Sequence, residues 1–196
     1  MFTVIGIAGS PRKTGNSATL LEAVLAGAAA AGECAADVVY LNDLTYRGCQ
    51  ACEPCTPDAT CQITDDLSPV LEAVRAADIW VLATPIYFDG VSGQMKSFFD
   101  RCCHLACDGP AGKQKKQLIG PRAGGIVFSY EDNPRDDYLD VVNRLAGYLG
   151  WMGDFGKVEV LPAAKVSPSS PVTDRPELLQ QARAMGEALV ESLTER

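Results

Sequence analysis

The amino-acid sequence predicts an α/β fold, a parallel sheet covered by helices on both faces. Two observations carry this: short runs rich in valine and isoleucine alternate with longer stretches of helical spacing, and the first run leads through a Gly- and Ser-rich turn into a helix. Strands buried on both faces read as continuous apolar runs, because neither side of the sheet meets water.

The predicted strands are residues 2–8, 36–40, 78–83, 124–129 and 157–161. Between the first two, residues 17–31 are alanine-rich and predict a helix. Leu67, Val70, Leu71 and Val74 fall at i, i+3, i+4 and i+7, the spacing that lays one apolar stripe on a sheet. Met95, Phe98, Phe99 and Cys102 repeat that stripe, as do Tyr138, Val141, Val142, Leu145 and Leu149. Asn133 before Pro134 suits a cap and first turn, and Gly150 suits the residue after a helix end. The last helix is expected from Asp174, with Glu177 completing a capping box and Leu178, Leu179, Ala182, Met185 and Leu189 forming its apolar face. Residues 41–64, 107–122 and 162–172 stand outside the alternation as long connections.

At 196 residues and 47% hydrophobic, the chain is expected to form one domain over residues 1–196, with a cysteine-rich insertion at 41–64. A net charge of −8 argues against a general nucleic-acid binder, which needs a basic surface. Lys113, Lys115 and Lys116 form one small basic cluster, read as a solvated loop. No apolar run approaches the roughly 18 residues of a membrane span, and the start lacks a basic-then-apolar leader. A cytoplasmic protein with no membrane partner is the expectation. Eight cysteines in such a chain suggest metal, redox or buried thiols rather than a disulfide framework.

The turn after the first strand reads Gly9-Ser10-Pro11-Arg12-Lys13-Thr14-Gly15-Asn16-Ser17. A strand feeding a helix N-terminus aims unpaired N–H groups at one point, where the helix dipole also favours an anion. Ser10, Thr14, Asn16 and Ser17 add side-chain donors, and Arg12 can give a charge-assisted bond to a phosphate oxygen. The pattern is neither G-x-G-x-x-G nor G-x-x-x-x-G-K-[ST], so a phosphate monoester suits it better than a dinucleotide or a nucleoside triphosphate. A plain turn using Gly and Ser is the structural alternative.

Cys49-Gln50-Ala51-Cys52-Glu53-Pro54-Cys55, followed by Cys61, has the spacing C-x2-C-x2-C-x5-C. Three thiols at this spacing can curl round one face of a cubane cluster, with the fourth closing the remaining corner. Zinc, which usually takes two separated pairs, and a metal-free thiol or disulfide loop stay open. Cys34, Cys102, Cys103 and Cys107 lack clustered spacing and are read as packing residues, Cys103 and Cys107 as the more exposed. His104, the single histidine, lies beside its helix's apolar stripe and is read as a surface residue, while Glu131, Asp132, Asp136 and Asp137 are read as solvated.

On the stretch from Gly9 to Ser17, and on Thr84-Pro85-Ile86-Tyr87-Phe88 with Gly90, Val91, Ser92, Lys96, Asp100 and Arg101, the chain resembles the NAD(P)H-dependent FMN reductase branch of the flavodoxin-like superfamily. The cysteine spacing is similar to that of its iron-sulfur flavoprotein members. The resemblance implies a flavodoxin-like three-layer sandwich, with a five-stranded parallel sheet of order 2-1-3-4-5. It implies FMN as cofactor, its phosphate on Ser10, Arg12, Gly15, Asn16 and Ser17, and its ring against Pro85, Ile86, Tyr87 and Phe88. Topology adds Ser129 or Tyr130 after the fourth strand. It further implies a [4Fe–4S] cluster on Cys49, Cys52, Cys55 and Cys61, NAD(P)H as a candidate donor, and a homodimer or homotetramer.

The chemistry would then reside on the flavin, with no catalytic side chain required, between a small-molecule or protein donor and an acceptor. Two other readings stay open: a cluster-free NAD(P)H-dependent reductase of FMN or quinones, and a metal-binding or thiol-switch module.

Overall fold

The computed structural model describes residues 1–52, 55, 60–106 and 118–195. Five parallel strands form the sheet: β1 (Phe2–Ala8), β2 (Cys34–Tyr40), β3 (Ile79–Tyr87), β5 (Ala123–Ser129) and β6 (Glu159–Ala163), in the order β2-β1-β3-β5-β6. A sixth, two-residue strand, β4 (Gly90–Val91), pairs antiparallel with the end of β3 and lies off the main path. The sheet thus has the expected order, with one hairpin added that periodicity cannot reveal in two residues.

Alternation of side chains along each strand sends one set to each face. Val4, Val81 and Val127 pack with α1 (Asn16–Ala31) and α5 (Pro176–Thr194), whereas Ile5, Ile7, Trp80, Leu82 and Phe128 pack with α2 (Ser68–Ala76), α3 (Gly93–Arg101) and α4 (Leu139–Met152). The two helices of the first layer cross at Gly27 and Gly186, where a Cβ would overlap the backbone of Arg183 and of Val24 respectively. Glycine is required there by the close approach of two backbones. Among the described residues no helix is long and apolar enough to cross a membrane.

Several boundaries differ from expectation for identifiable reasons. β3 does not stop at Ala83 but runs to Tyr87, so the Thr84–Tyr87 stretch is the end of the strand rather than a loop after it. α4 begins at Leu139, because Asn133 spends its side-chain amide on the Tyr138 hydroxyl instead of capping a helix, and Tyr130 donates its hydroxyl to the Pro134 and Arg135 carbonyls. Gly150 lies inside α4, which continues one turn to bury Met152. It ends at Gly153, where a Cβ would stand 2.8 Å from that of Leu118. The capping box at α5 does not form: Pro176 opens the helix, and the Glu177 carboxylate accepts from Arg175 at 2.5 Å. Cys107 and the Lys113, Lys115 and Lys116 cluster lie outside the described residues.

Candidate functional site

Strand order reverses between β1 and β3, since β1 connects to β2 on one side of itself and β3 lies on the other. In an open parallel sheet, a crevice opens at the carboxyl ends of the strands at such a point. The β1–α1 turn, the end of β3 and the end of β5 all meet there. Ala8 is level with Ala83, Gly9 donates its amide to the Ala83 carbonyl at 2.8 Å, and Pro85 is level with Ser129 across the β3–β5 pair. Ser10, Pro85 and Ser129 therefore stand on three adjacent strand ends.

The turn holds its own shape. Ser10 is buried, and its hydroxyl accepts the Arg12 amide at 3.1 Å, which leaves its own proton to donate. Gly15 donates to the Arg12 carbonyl and precedes α1 in an extended conformation without a side-chain cap. A Cβ on Gly15 would fill the cradle, 2.9 Å from the Ser10 hydroxyl oxygen. Asn16 and Ser17 open α1, so their amides have no carbonyl one turn earlier to bond. Asn16 accepts the Val172 amide on its side-chain oxygen at 3.0 Å, so the donor side of its amide is its NH2. Arg12 and Thr14 are exposed, and Lys13 is drawn aside by Asp43 at 2.6 Å. This donor-lined cradle fits a phosphate monoester.

The second wall is fastened to the first by one residue. Ser92, buried, donates its hydroxyl to the Gly9 carbonyl at 2.7 Å and accepts the Met95 amide as the cap of α3. Its own amide goes to Thr84 Oγ1. A Cβ on Gly9 would meet that of Met95 at 2.9 Å, so the turn and α3 touch only because position 9 is glycine. Beyond Thr84, Pro85 is buried and Ile86 half-buried, while Tyr87 and Phe88 are exposed.

Phe88 and Asp89 turn the hairpin with φ of 48° and 57°, a conformation that favours glycine or asparagine. Asp89 is tied down by the Tyr138 hydroxyl at 2.9 Å, and this hydrogen bond raises the tyrosine pKa. On the third wall Ser129 and Tyr130 are buried, and burial likewise raises the Tyr130 pKa.

The four cysteines singled out from spacing are arranged differently. Cys49 and Cys52 are exposed, whereas Cys55 and Cys61 are half-buried. Among the described residues no three Cys, His, Asp or Glu side chains converge to hold a metal ion. The thiols are the right donors for an iron-sulfur cluster, but the loop does not hold them as a closed set.

What the sequence reading missed is the burial of Arg101, named there only among the residues of the resemblance: its side chain is wholly buried. Its Nε donates to Cys61 Sγ at 3.2 Å, Nη1 to the Arg47 carbonyl and Asp65, and Nη2 to the Ile63 carbonyl and Asp65. All five donors of the guanidinium are used. Burial pushes the Asp65 carboxyl up, but the hydrogen bonds from Arg101 and the Arg47 amide outweigh it and hold the pKa below its usual value. A charged residue at a helix end carries no pattern that betrays burial.

Two corrections concern neighbouring residues. His104 is buried, not at the surface: its Nδ1–H donates to the Arg101 carbonyl at 2.6 Å, and burial lowers its pKa. Cys102 is buried as its stripe position predicts, which drives its thiol pKa up, and Cys103 is exposed. An open groove of about 630 Å³ runs between α3 and α4 from Gly90 to Cys49, lined by Phe99, Leu145, Tyr148 and Trp151. Neither helix pattern alone could have revealed it.

Comparison with known proteins agrees with this geometry. The chain is 38% identical over 98 residues to an iron-sulfur flavoprotein from Methanocaldococcus jannaschii, covering 50% of each. It is 34% identical over 141 residues to an iron-sulfur flavoprotein from Archaeoglobus fulgidus, covering 72% of this chain and 60% of the other. The matched stretches thus span only half to three fifths of these relatives' length. A NAD(P)H:quinone oxidoreductase structure from Methanothermobacter marburgensis superposes with a TM-score of 0.71 over 96% of both chains at 20% identity, a likeness of fold. The family model described as NADPH-dependent FMN reductase matches residues 2–131, the span that contains all three walls of the crevice. On that match the chain belongs to the NADPH-dependent FMN reductase family.

Proposed function

We propose that this protein is an FMN-dependent oxidoreductase acting as one domain with a cysteine-rich insertion at 41–64, and that it passes electrons between FMN and a [4Fe–4S] cluster. The observation that carries the flavin reading is the cradle at the switch point, where uncapped helix amides and the buried Ser10 hydroxyl face one crevice. Ser10, Arg12, Gly15, Asn16 and Ser17 would hold the FMN phosphate. Pro85, Ile86, Tyr87, Phe88 and Ser129 would line the ring. Bound there, FMN supplies the hydride and electron chemistry, and the protein binds and orients it.

For the cluster, the support is the four-thiol spacing together with the iron-sulfur flavoprotein names of the relatives. Cys49, Cys52, Cys55 and Cys61 would be its ligands. The second reading, a cluster-free NAD(P)H-dependent reductase of FMN or quinones, is favoured by the lack of convergence of those ligands among the described residues. A homodimer or homotetramer in the cytoplasm belongs to the same proposal, supported by the exposed aromatics Phe88 and Trp151. Sedimentation of the purified protein tests the assembly.

The deciding experiment is anaerobic purification with flavin and iron measured on one sample. One FMN and about four irons per chain are expected. FMN without iron, even after reconstitution with iron and sulfide, moves the assignment to the cluster-free reductase. No flavin after addition of FMN overturns the central claim.

A further inference from the structure

We infer that Tyr138 is a positioning residue for the flavin ring: by holding Asp89 it keeps the Phe88–Asp89 turn left-handed, and so sets where Tyr87 and Phe88 stand at the mouth of the crevice. The inference rests on the FMN reading above and adds to it a residue that acts on the ring through another.

The turn is held in a costly shape. Ile86 pairs with Val91 and Tyr87 with Gly90, so Phe88 and Asp89 alone reverse the chain, with φ of 48° and 57°. A two-residue hairpin of this kind needs both central residues left-handed, which glycine and asparagine adopt readily and phenylalanine does not. Phe88 is fully exposed, so no burial of its ring offsets the strain. The turn must be fixed from elsewhere in the fold.

Tyr138 supplies the fixing. Its hydroxyl donates to Asp89 Oδ1 at 2.9 Å, and the Asn133 amide donates to the same hydroxyl oxygen, which commits the single hydroxyl proton to Asp89. The ring is anchored in turn: it meets Tyr130 edge-on at 4.9 Å between centroids, and Tyr130 stacks on buried Phe128 at 5.6 Å. Tyr130 is itself fixed by its hydroxyl on the Pro134 and Arg135 carbonyls and by its amide on the Ala163 carbonyl of β6. The contacts run from the core of β5 to the tip of the β3–β4 hairpin. They join the second wall of the crevice to the third. A hairpin needed only to reverse the chain could carry glycine at position 89; this one spends a strained Phe–Asp pair and a distant tether where the ring would lie.

The test compares wild-type protein with Tyr138→Phe, Asp89→Ala and Asp89→Gly. Fluorescence titration reads FMN affinity, and visible circular dichroism at saturating FMN reads the setting of the bound ring. Tyr138→Phe keeps the ring against Tyr130 and removes only the hydroxyl, and it is expected to weaken FMN about fivefold, the size of one hydrogen bond, with an altered flavin spectrum. Asp89→Ala and Asp89→Gly both delete the acceptor, but only glycine takes the left-handed turn without strain. Asp89→Gly is therefore expected to bind FMN about fivefold more tightly than Asp89→Ala.

That order supports the inference, because loss of the carboxylate alone gives no reason for glycine to outdo alanine. Equal affinity of the two Asp89 variants overturns it, as does a Tyr138→Phe variant that loses affinity with an unchanged ring spectrum, which places the effect away from the ring. Should Tyr138→Phe fail to fold, the comparison of Asp89→Ala with Asp89→Gly decides. Wild-type protein that binds no FMN defeats the flavin reading and this inference with it, whereas FMN-binding wild type matched by Tyr138→Phe defeats this inference alone.

Discussion

Two connections leave the same sheet, and they are built on opposite plans. The turn from Gly9 to Ser17 is shaped from within: Ser10 accepts the Arg12 amide, Gly15 bonds back to Arg12, and Gly9 lets α3 press against it. The two ends of the cysteine run are tied together by Arg101 and Asp65, with Cys49 and Cys52 exposed. A preorganised cradle binds a ligand whose shape never changes. In the proposed cluster-bearing form, the centre itself would supply further bonds to the cysteines, as in metal sites that fold on binding.

The contrast is broken most severely at Arg101. Arg101→Met leaves the Asp65 carboxylate, two carbonyls and Cys61 without their donor, and is expected to cost about 3–5 kcal/mol of stability in chemical denaturation. A loss within ~0.5 kcal/mol would mean the loop is not held by its ends. Next comes Gly9→Ala, which forces a methyl against Met95 and Ser92; about 1–3 kcal/mol of stability and at least tenfold in FMN affinity should go together.

Arg12→Ala separates binding from folding. Arg12 is exposed, so stability should hold within about 0.5 kcal/mol while FMN binding, read by fluorescence titration, weakens by about 1–3 kcal/mol. Unchanged affinity would remove Arg12 from the phosphate site. Cys49→Ser makes the matching cut in the other connection: an exposed side chain changes, stability stays within ~0.5 kcal/mol, and on the proposed cluster reading iron retention after reconstitution is lost with flavin kept.

The smallest effect concerns pH. Burial lowers the His104 pKa, so the unfolded chain binds its proton more readily than the folded one. His104 therefore contributes stability above its unfolded value of about 6.5, and that contribution is lost as pH falls through the lowered folded value. Asp65, also lowered, acts with the same sign at more acid pH. Denaturation midpoints should fall between pH 7 and 5, and His104→Gln should flatten that slope. A midpoint that rises on acidification would show that the ring is charged in the fold.

Much of this was legible from residues in a row. β1 and the stripe of α2 were readable because burial on two faces or on one leaves a periodic mark. The phosphate turn was readable because its donors are contiguous and sit between a strand and a helix. α4 was placed about right and ended wrongly, since Gly150 is a stop only when the next turn has nothing to bury, and Met152 does.

The amino-acid sequence by itself determined the alternation of strands and helices, the phosphate turn and the four-thiol spacing, because each is set by neighbours along the chain. Tertiary structure alone decided the rest: the burial of Arg101 and His104, the hairpin that holds Phe88 and Asp89 at positive φ, and the level of Ser129 with Pro85. Those depend on residues far apart in the chain meeting at one edge of a sheet. A side chain's polarity says what it costs to bury, and only the fold says which partners are there to offset that cost.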